Sequence, residues 1–287
     1  FKNRGAIVTV TDLRVAKTLS ASLEKLKHLE NIQFILGEHR DQDFLDCQIL
    51  IKNPAVPFTN KYVQIAKQNG AEILTEMDLL FKEVEVPIIG ITGTKGKSTT
   101  TSLIAHIFKT AGKNIFFGGN IGISIVRELD NINTYDFLIL EIADVNLRSF
   151  LDSNFRVNTA VITNIYKDHL DQYKDFQEYI DTKKRIFKYQ QPTDNLVLNI
   201  DSEVIESFYK EIDNVEIHTV SADAKKMPSI VLNINEKTLM NIDQTFQIHK
   251  NILQGRHNLY NIALAYKVCK LHGISDQQIS SGIKTYQ

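Results

Sequence analysis

The segment Gly90-Ile91-Thr92-Gly93-Thr94-Lys95-Gly96-Lys97-Ser98-Thr99 has the residue types and spacing to hold a triphosphate. Glycines let backbone N–H groups turn onto phosphate oxygens, and a following helix adds the partial positive charge of its N-terminus. Lys97 supplies a full charge for the β- and γ-phosphates, and the Ser98 hydroxyl is suited to ligate magnesium. The strict phosphate-loop pattern has its first glycine where this chain carries Ile91, so the match is the shorter Gly-x-x-Gly-Lys-Ser. A glycine-rich turn carrying a lysine by chance is the alternative. An apolar run enters the loop and the amphipathic segment Thr99–Thr110 leaves it, which is the context that phosphate binding requires.

Such a loop has to be mounted on a sheet, and the chain has the pattern for one. Short apolar runs at Ala6–Thr11, Ile32–Leu36 and Gln48–Ile51 read as strands, with amphipathic helices at Val15–Lys27 and Lys61–Asn69 between them. After the acidic stretch Lys82–Glu85, Pro87 opens a second series. Its strands are Ile88–Thr92, Ile115–Phe117, Phe137–Ile142, Thr159–Asn164 and Leu196–Asn199. This alternation predicts an α/β fold with parallel sheets, and a domain boundary near Glu85. Residues 1–85 would form one such domain and residues 86–287 a second, carrying the phosphate loop. Ile230–Lys250 alternates apolar and polar residues around Asn235-Glu236-Lys237 and reads as a hairpin. His257–His272 is the last clear helix.

Composition narrows the class. The 287 residues are 43% hydrophobic and 23% charged, with a formal net charge of -1, which offers no bulk attraction to nucleic acid or anionic membrane. No apolar run approaches the roughly 18 residues of a membrane span, and there is no signal-peptide pattern. Cys47 and Cys269 are isolated, which gives neither a disulfide framework nor a zinc spacing. A cytoplasmic monomer is expected.

Four segments in order resemble the Mur ligase family. Gly93-Thr94-Lys95-Gly96-Lys97-Ser98 is similar to its phosphate loop. Gly118-Gly119-Asn120-Ile121-Gly122 is similar to the loop after the second strand in the family's D-glutamate-adding branch. Asn164-Ile165-Tyr166-Lys167-Asp168-His169-Leu170-Asp171 resembles its Asn…Asp-His-Leu-Asp motif, and Gly255-Arg256-His257-Asn258-Leu259-Tyr260-Asn261 its adenine-side motif. Thr11-Asp12-Leu13-Arg14 and Lys52-Asn53-Pro54-Ala55-Val56-Pro57 resemble uridine-side loops more loosely.

The resemblance implies a truncated Rossmann-like domain followed by the Mur ligase central domain. It also implies ATP and Mg2+ as cofactors, with a UDP-linked muramoyl substrate and D-glutamate as partners. A substrate carboxylate would be activated as an acyl phosphate and then attacked by an amine. Gly93, Thr94, Lys95, Gly96, Lys97, Ser98 and Thr99 would cradle ATP, and Asn258 and Asn261 would read adenine. Ser98 and Glu141 would hold one magnesium, and His169 and a carbamylated Lys183 a second. Asp12, Arg14, Asn53, Asn120, Asn146 and His169 would contact the UDP-linked substrate. Local structure offers plainer roles for several of these: helix capping for Asn258, loop chemistry for Asp12, a solvated helical lysine for Lys183.

Three departures from the family pattern stand out. The Ser-Ser-aromatic-Gln expected after the metal glutamate reads Ala143-Asp144-Val145-Asn146, which puts a new charge near the metals. The glycine-rich first turn of the uridine domain is not in the chain. The third domain, which carries the amino-acid site, would begin beyond Gln287. Weak or absent ligation by this chain alone is therefore expected. Two alternatives remain: another Mur ligase or folylpolyglutamate synthetase relative, and a non-catalytic nucleotide- or UDP-sugar-binding module.

Overall fold

The computed structural model describes residues 5–30, 32–149, 155–168, 172–241, 244–249 and 253–287. Contacts divide the chain into two compact units, Phe1–Thr75 and Glu76–Gln287.

The first unit contains β1 (Val8–Asp12), α1 (Ser20–Leu26), β2 (Ile32–Leu36), α2 (Asp41–Leu45), β3 (Ile49–Ile51), α3 (Lys61–Gln68) and β4 (Glu72–Leu74). β1 pairs in parallel with β2, and β3 with β4; among the described residues these are two separate two-stranded sheets. The helix expected over Val15–Lys27 forms only from Ser20. α3 starts where Asn60 caps it, its side chain accepting from the Tyr62 N–H at 2.9 Å.

The second unit begins with α4 (Glu76–Glu83), ahead of the boundary expected near Glu85. Met77 and Leu80 bury themselves in the core of this unit, and the Glu76 carboxylate accepts from Ser124 Oγ at 2.7 Å. Then follow β5 (Ile88–Thr92), α5 (Lys97–Thr110), β6 (Ile115–Gly119), β7 (Phe137–Glu141), α6 (Asp144–Ser149), β8 (Thr159–Ile162), α7 (Phe176–Lys184), β9 (Asn195–Asn199), α8 (Glu203–Phe208) and β10 (Glu216–Ser221). The unit closes with β11 (Ile230–Asn233), β12 (Thr238–Met240), β13 (Thr245–Gln247), α9 (Arg256–Leu271) and α10 (Asp276–Thr285). Among the described residues the sheet has nine strands in the order β13-β12-β11-β10-β9-β8-β5-β7-β6. β6 through β11 run parallel; β12 and β13 turn back antiparallel, extending the expected hairpin into a meander.

Strand alternation sends residues to two cores. Ile89, Ile91, Ile139, Val161 and Val197 pack under α5, α9 and α10, while Ile88, Leu138, Leu140, Ala160 and Leu198 pack on the opposite face with Tyr179 and Ile205. Burial on both faces explains why the strands read as unbroken apolar runs. β5 lies between β7 and β8, so the chain leaves it for one side of the sheet and later crosses to the other. The loop after β5 therefore opens at the switch point, where α/β sheets bind their ligands. Among the described residues no helix is long and apolar enough to cross a membrane.

Two buried histidines make this unit acid-sensitive. Burial lowers His218 and His272 to about 4 each. His218 bonds Asn195 Oδ1 at 2.8 Å, and His272 bonds Thr159 Oγ1 at 3.0 Å. Both are neutral in the fold and take up a proton on unfolding below pH 6.5. Their contribution is complete above pH 6.5 and is lost as pH falls to about 4. Each loses up to about 3 kcal/mol across that window. Urea unfolding at pH 7 and pH 4.5 should show the drop, and His218→Gln with His272→Gln should flatten it; an equally steep drop in the double variant would contradict this assignment.

Candidate nucleotide and metal site

α5 begins at Lys97, directly after the glycine-rich loop, so its unpaired N–H groups face the loop cavity. Gly96 sits at φ +84°, and a Cβ there would lie 2.4 Å from Asn261 Oδ1. Only glycine lets the loop approach α9 this closely. Lys97 Nζ donates to the carbonyls of Gly93 at 2.8 Å and Thr94 at 3.0 Å. Burial pushes its ammonium below the ordinary lysine range, and the charges of Glu141 and Asp144 pull it back. Ser98 is exposed at the head of the helix.

The end of β8 clamps the loop from beside it. Asn164 accepts from the Lys95 N–H with Oδ1 and donates to the Lys95 carbonyl with Nδ2, both at 2.9 Å. Thr163 Oγ1 donates to that same carbonyl at 2.7 Å. Thr94 Oγ1 meets the Tyr179 hydroxyl of α7 at 3.0 Å. Asn164, Thr163 and Tyr179 were not among the expected site residues; a position just after the end of β8 was the available signal for the first two, and Tyr179, inside α7, had none.

Glu141 ends β7 and is 2% exposed. Its Oε1 accepts from Asn120 Nδ2 at 3.0 Å, and its Oε2 has no hydrogen-bond partner among the described residues. Gly119, at φ +96°, makes this possible: a Cβ there would meet the Glu141 carbonyl at 2.2 Å, and the Asn120 N–H bonds that carbonyl at 2.9 Å. Asn120 thus orients Glu141.

Lys183 lies on α7, whose N-cap is Asp175. It is fully buried, and among the described residues its Nζ also has no hydrogen-bond partner. Asp144 Oδ1 lies 3.7 Å away, beyond hydrogen-bond range, and the Tyr179 ring centroid is 5.0 Å away. Burial lowers Lys183 to about 8, opposed by Asp144 and reinforced by Lys97. Asp144 accepts from the Tyr173 hydroxyl at 2.7 Å. The unusual Asp144, first residue of α6, therefore faces the lysine that the resemblance expects to be carbamylated.

Beyond the loop opens a cavity of about 630 Å³, lined by Lys95, Gly96, Tyr166, Asp201, Arg256, Tyr260 and Asn261 among others. Asn261 is buried and donates to Asn258 Oδ1 at 3.0 Å, while Asn258 Nδ2 donates to the Gln254 carbonyl at 2.8 Å. Helix capping, the plain alternative for Asn258, does not apply: Gly255 is the N-cap and Asn258 lies in the first turn.

Other expected residues have local partners. Asn146 Oδ1 accepts from the Ala143 N–H at 3.3 Å. In the first unit Asp12 takes both the Arg14 N–H at 2.8 Å and its guanidinium at 2.7 Å, and these bonds lower its carboxyl to about 2. Asn53 accepts from the Ala55 N–H at 2.9 Å. His169 lies outside the described residues.

Fold and phosphate loop are those of the Mur ligase family. The Mur ligase middle domain matches residues 91–269, and the chain belongs to that family. Its similarity is strong to UDP-N-acetylmuramoylalanine–D-glutamate ligases. The Geobacter metallireducens protein is 41% identical over 70% of this chain and 44% of its own length. The Roseiflexus sp. protein is 33% identical over 99% of this chain and 63% of its own length. The chain thus spans about half to two thirds of these relatives. Among solved structures, the UDP-N-acetylmuramate:L-alanyl-gamma-D-glutamyl-meso-diaminopimelate ligase from Neisseria meningitides matches with a TM-score of 0.72 at 18% identity, covering 100% of this chain and 92% of that one. UDP-N-acetylmuramate-alanine ligase from Thermotoga maritima matches with a TM-score of 0.61 at 20% identity, over 99% and 64% of the two chains. At these identities the structural matches speak for the fold.

Proposed function

We propose that the chain carries the ATP and UDP-muramoyl sites of a ligase that joins D-glutamate to UDP-N-acetylmuramoyl-L-alanine. The observation that carries this reading is a pair of buried groups next to the phosphate loop: among the described residues Glu141 Oε2 and Lys183 Nζ have no hydrogen-bond partner, and Lys183 faces Asp144 only at 3.7 Å. Such atoms are costly unless something binds them.

In this reading Gly93, Thr94, Lys95, Gly96 and Thr99 turn backbone donors onto ATP, and Lys97 leaves its loop carbonyls for the γ-phosphate. Asn261, braced by Asn258, faces adenine. Asp12, Arg14 and Asn53 serve the uridine, and Asn120 and Asn146 the acyl end of the substrate. The donor set fits a hard divalent cation. Ser98 and Glu141 would hold one magnesium, and His169 and Lys183 a second. Among the described residues no three His, Cys, Asp or Glu side chains gather into a metal site, so phosphate oxygens would complete the shell, as magnesium usually requires. Bound there, magnesium would neutralise charge on the transferred phosphoryl group.

Lys183 suits carbamylation. Its neutral amine attacks the carbon of carbon dioxide, a C–N bond forms, and a proton leaves to solvent. The product is a carboxylate-like group that satisfies the orphaned Nζ position. The depressed pKa raises the neutral fraction available for that step.

Positional isotope exchange tests the activity without an amine. ATP labelled with oxygen-18 in the β,γ-bridge should scramble its label when UDP-N-acetylmuramoyl-L-alanine is present, because acyl phosphate forms reversibly. Scrambling with a different UDP-muramoyl precursor only would reassign the substrate, and none with any precursor would count against the ligase reading.

A further inference from the structure

We propose that Asp144 is a ligand of the second divalent cation, beside the carbamylated Lys183. The inference rests on the two-metal reading above. It adds a ligand foreign to the family pattern, which has serine where this chain has Asp144.

Glu141 ends β7, and Asp144 opens α6 three residues later. Asp144 Oδ1 lies 3.7 Å from Lys183 Nζ, and its Oδ2 accepts from the Tyr173 hydroxyl at 2.7 Å. Tyr173 is itself buried, with the Arg148 guanidinium 5.3 Å from its ring centroid. The carboxylate is thus held with one oxygen toward the tyrosine and the other toward the lysine. An ion pair built for its own sake would close to about 2.8 Å. This one stays open, although Lys183 is fully buried and its Nζ has no hydrogen-bond partner among the described residues. The buried Glu141 Oε2 is in the same position. Two buried groups lacking hydrogen bonds, with a tethered carboxylate beside one of them, point to a charged occupant that the protein does not supply.

Carbamylation reverses the charge of one partner. The ammonium beside Asp144 becomes an anion, and two buried anions side by side persist only with a cation between them. Magnesium takes oxygen ligands at about 2.1 Å in an octahedron, so adjacent ligand oxygens on one ion stand about 3 Å apart. A carboxylate 3.7 Å from the atom that carries the carbamate is close enough to share its ion. Tyr173 is then the positioning residue that aims Asp144 at the metal. The rival role for Asp144 is that of counter-ion to the Lys183 ammonium, which needs no metal.

Manganese stands in for magnesium in the test, because electron paramagnetic resonance counts the free ion. Titration of the chain in ATP and carbon-13 bicarbonate should show two bound ions. Asp144→Asn keeps the side-chain shape and removes the charge. It should bind the second ion about a hundredfold more weakly and leave the first unchanged, and Tyr173→Phe should weaken the second about tenfold. Asp144→Cys should make the second site prefer cadmium to manganese, because a thiolate is a soft ligand. A carboxylate acting only as counter-ion gives no such preference. Unchanged second-ion affinity in folded Asp144→Asn would overturn the proposal, as would a folded Asp144→Cys that gains no preference for cadmium. If neither Asp144 variant folds, Tyr173→Phe decides alone. A wild-type chain that binds a single ion ends the second metal site and this inference together, while ATP binding still stands. Two bound ions with no carbamate signal, and the second lost in Asp144→Asn, would remove the carbamate and keep Asp144 as the ligand.

Discussion

Lys97→Ala should weaken ATP and tripolyphosphate binding about a hundredfold each, the upper range for loss of one charged donor to phosphate. It should do so without lowering the melting temperature. The Lys97 ammonium is pulled out of water by burial, and among the described residues its hydrogen bonds run to two carbonyls of its own loop. Removing it relieves that desolvation while the loop keeps its anchors on Asn164, Thr163 and Tyr179. A binding loss with stability held or raised is the signature of a residue kept for a ligand. Equal loss of ATP affinity and of stability would instead make Lys97 a structural strut. Calorimetric titration and thermal melting of the same sample check both halves.

Lys183→Met should give the second large effect, in opposite directions for stability and chemistry. A fully buried lysine with its Nζ unbonded carries a desolvation cost that a thioether does not. Chemical unfolding should show the variant more stable by about 1–2 kcal/mol, less than the full cost because Asp144 loses a neighbouring cation. The pH dependence follows from the lowered lysine. Its folded value of about 8 lies below the ordinary 10.5, so the unfolded chain binds more protons between those limits and wild-type stability rises with pH across that window. The methionine variant should lack that rise. It should also lose the carbamate signal that carbon-13 dioxide is expected to give in the wild type. A signal that survives in the variant would move the carbamate to another lysine.

The central strands were readable because each is covered on both faces, which leaves continuous apolar runs such as Ile88–Thr92 and Phe137–Glu141. Elements with mixed surroundings were harder. β10 carries His218, Thr219 and Ser221, and does not read as apolar. α10 is rich in Gln and Ser and contains Gly282, yet it has a full capping box between Ser275 and Gln278. α4 lies ahead of the boundary expected near Glu85, and only packing shows which core Met77 and Leu80 enter.

The site divides the same way. The phosphate loop and Glu141 lie in contiguous motifs, and the new charge of Asp144 was visible in the sequence as a departure. Its approach to Lys183 was not, because α6 ends at Ser149, α7 begins only at Phe176, and the two meet through packing. The Asp201–Tyr260 bond spans 59 residues and follows no local spacing. Asn146, expected at the substrate, also bonds the backbone at the start of its own helix, a contact that no motif shows.

The most direct measurement is electron–nuclear double resonance of manganese-ATP bound to the chain after carbon-13 dioxide labelling. The metal should couple to phosphorus of the nucleotide and to the carbon-13 on Lys183 in one complex, with both couplings lost in Lys97→Ala and only the carbon coupling lost in Lys183→Met. Phosphorus coupling with no carbon coupling in the labelled wild-type chain would contradict a cleft shared by the phosphate loop and the buried lysine.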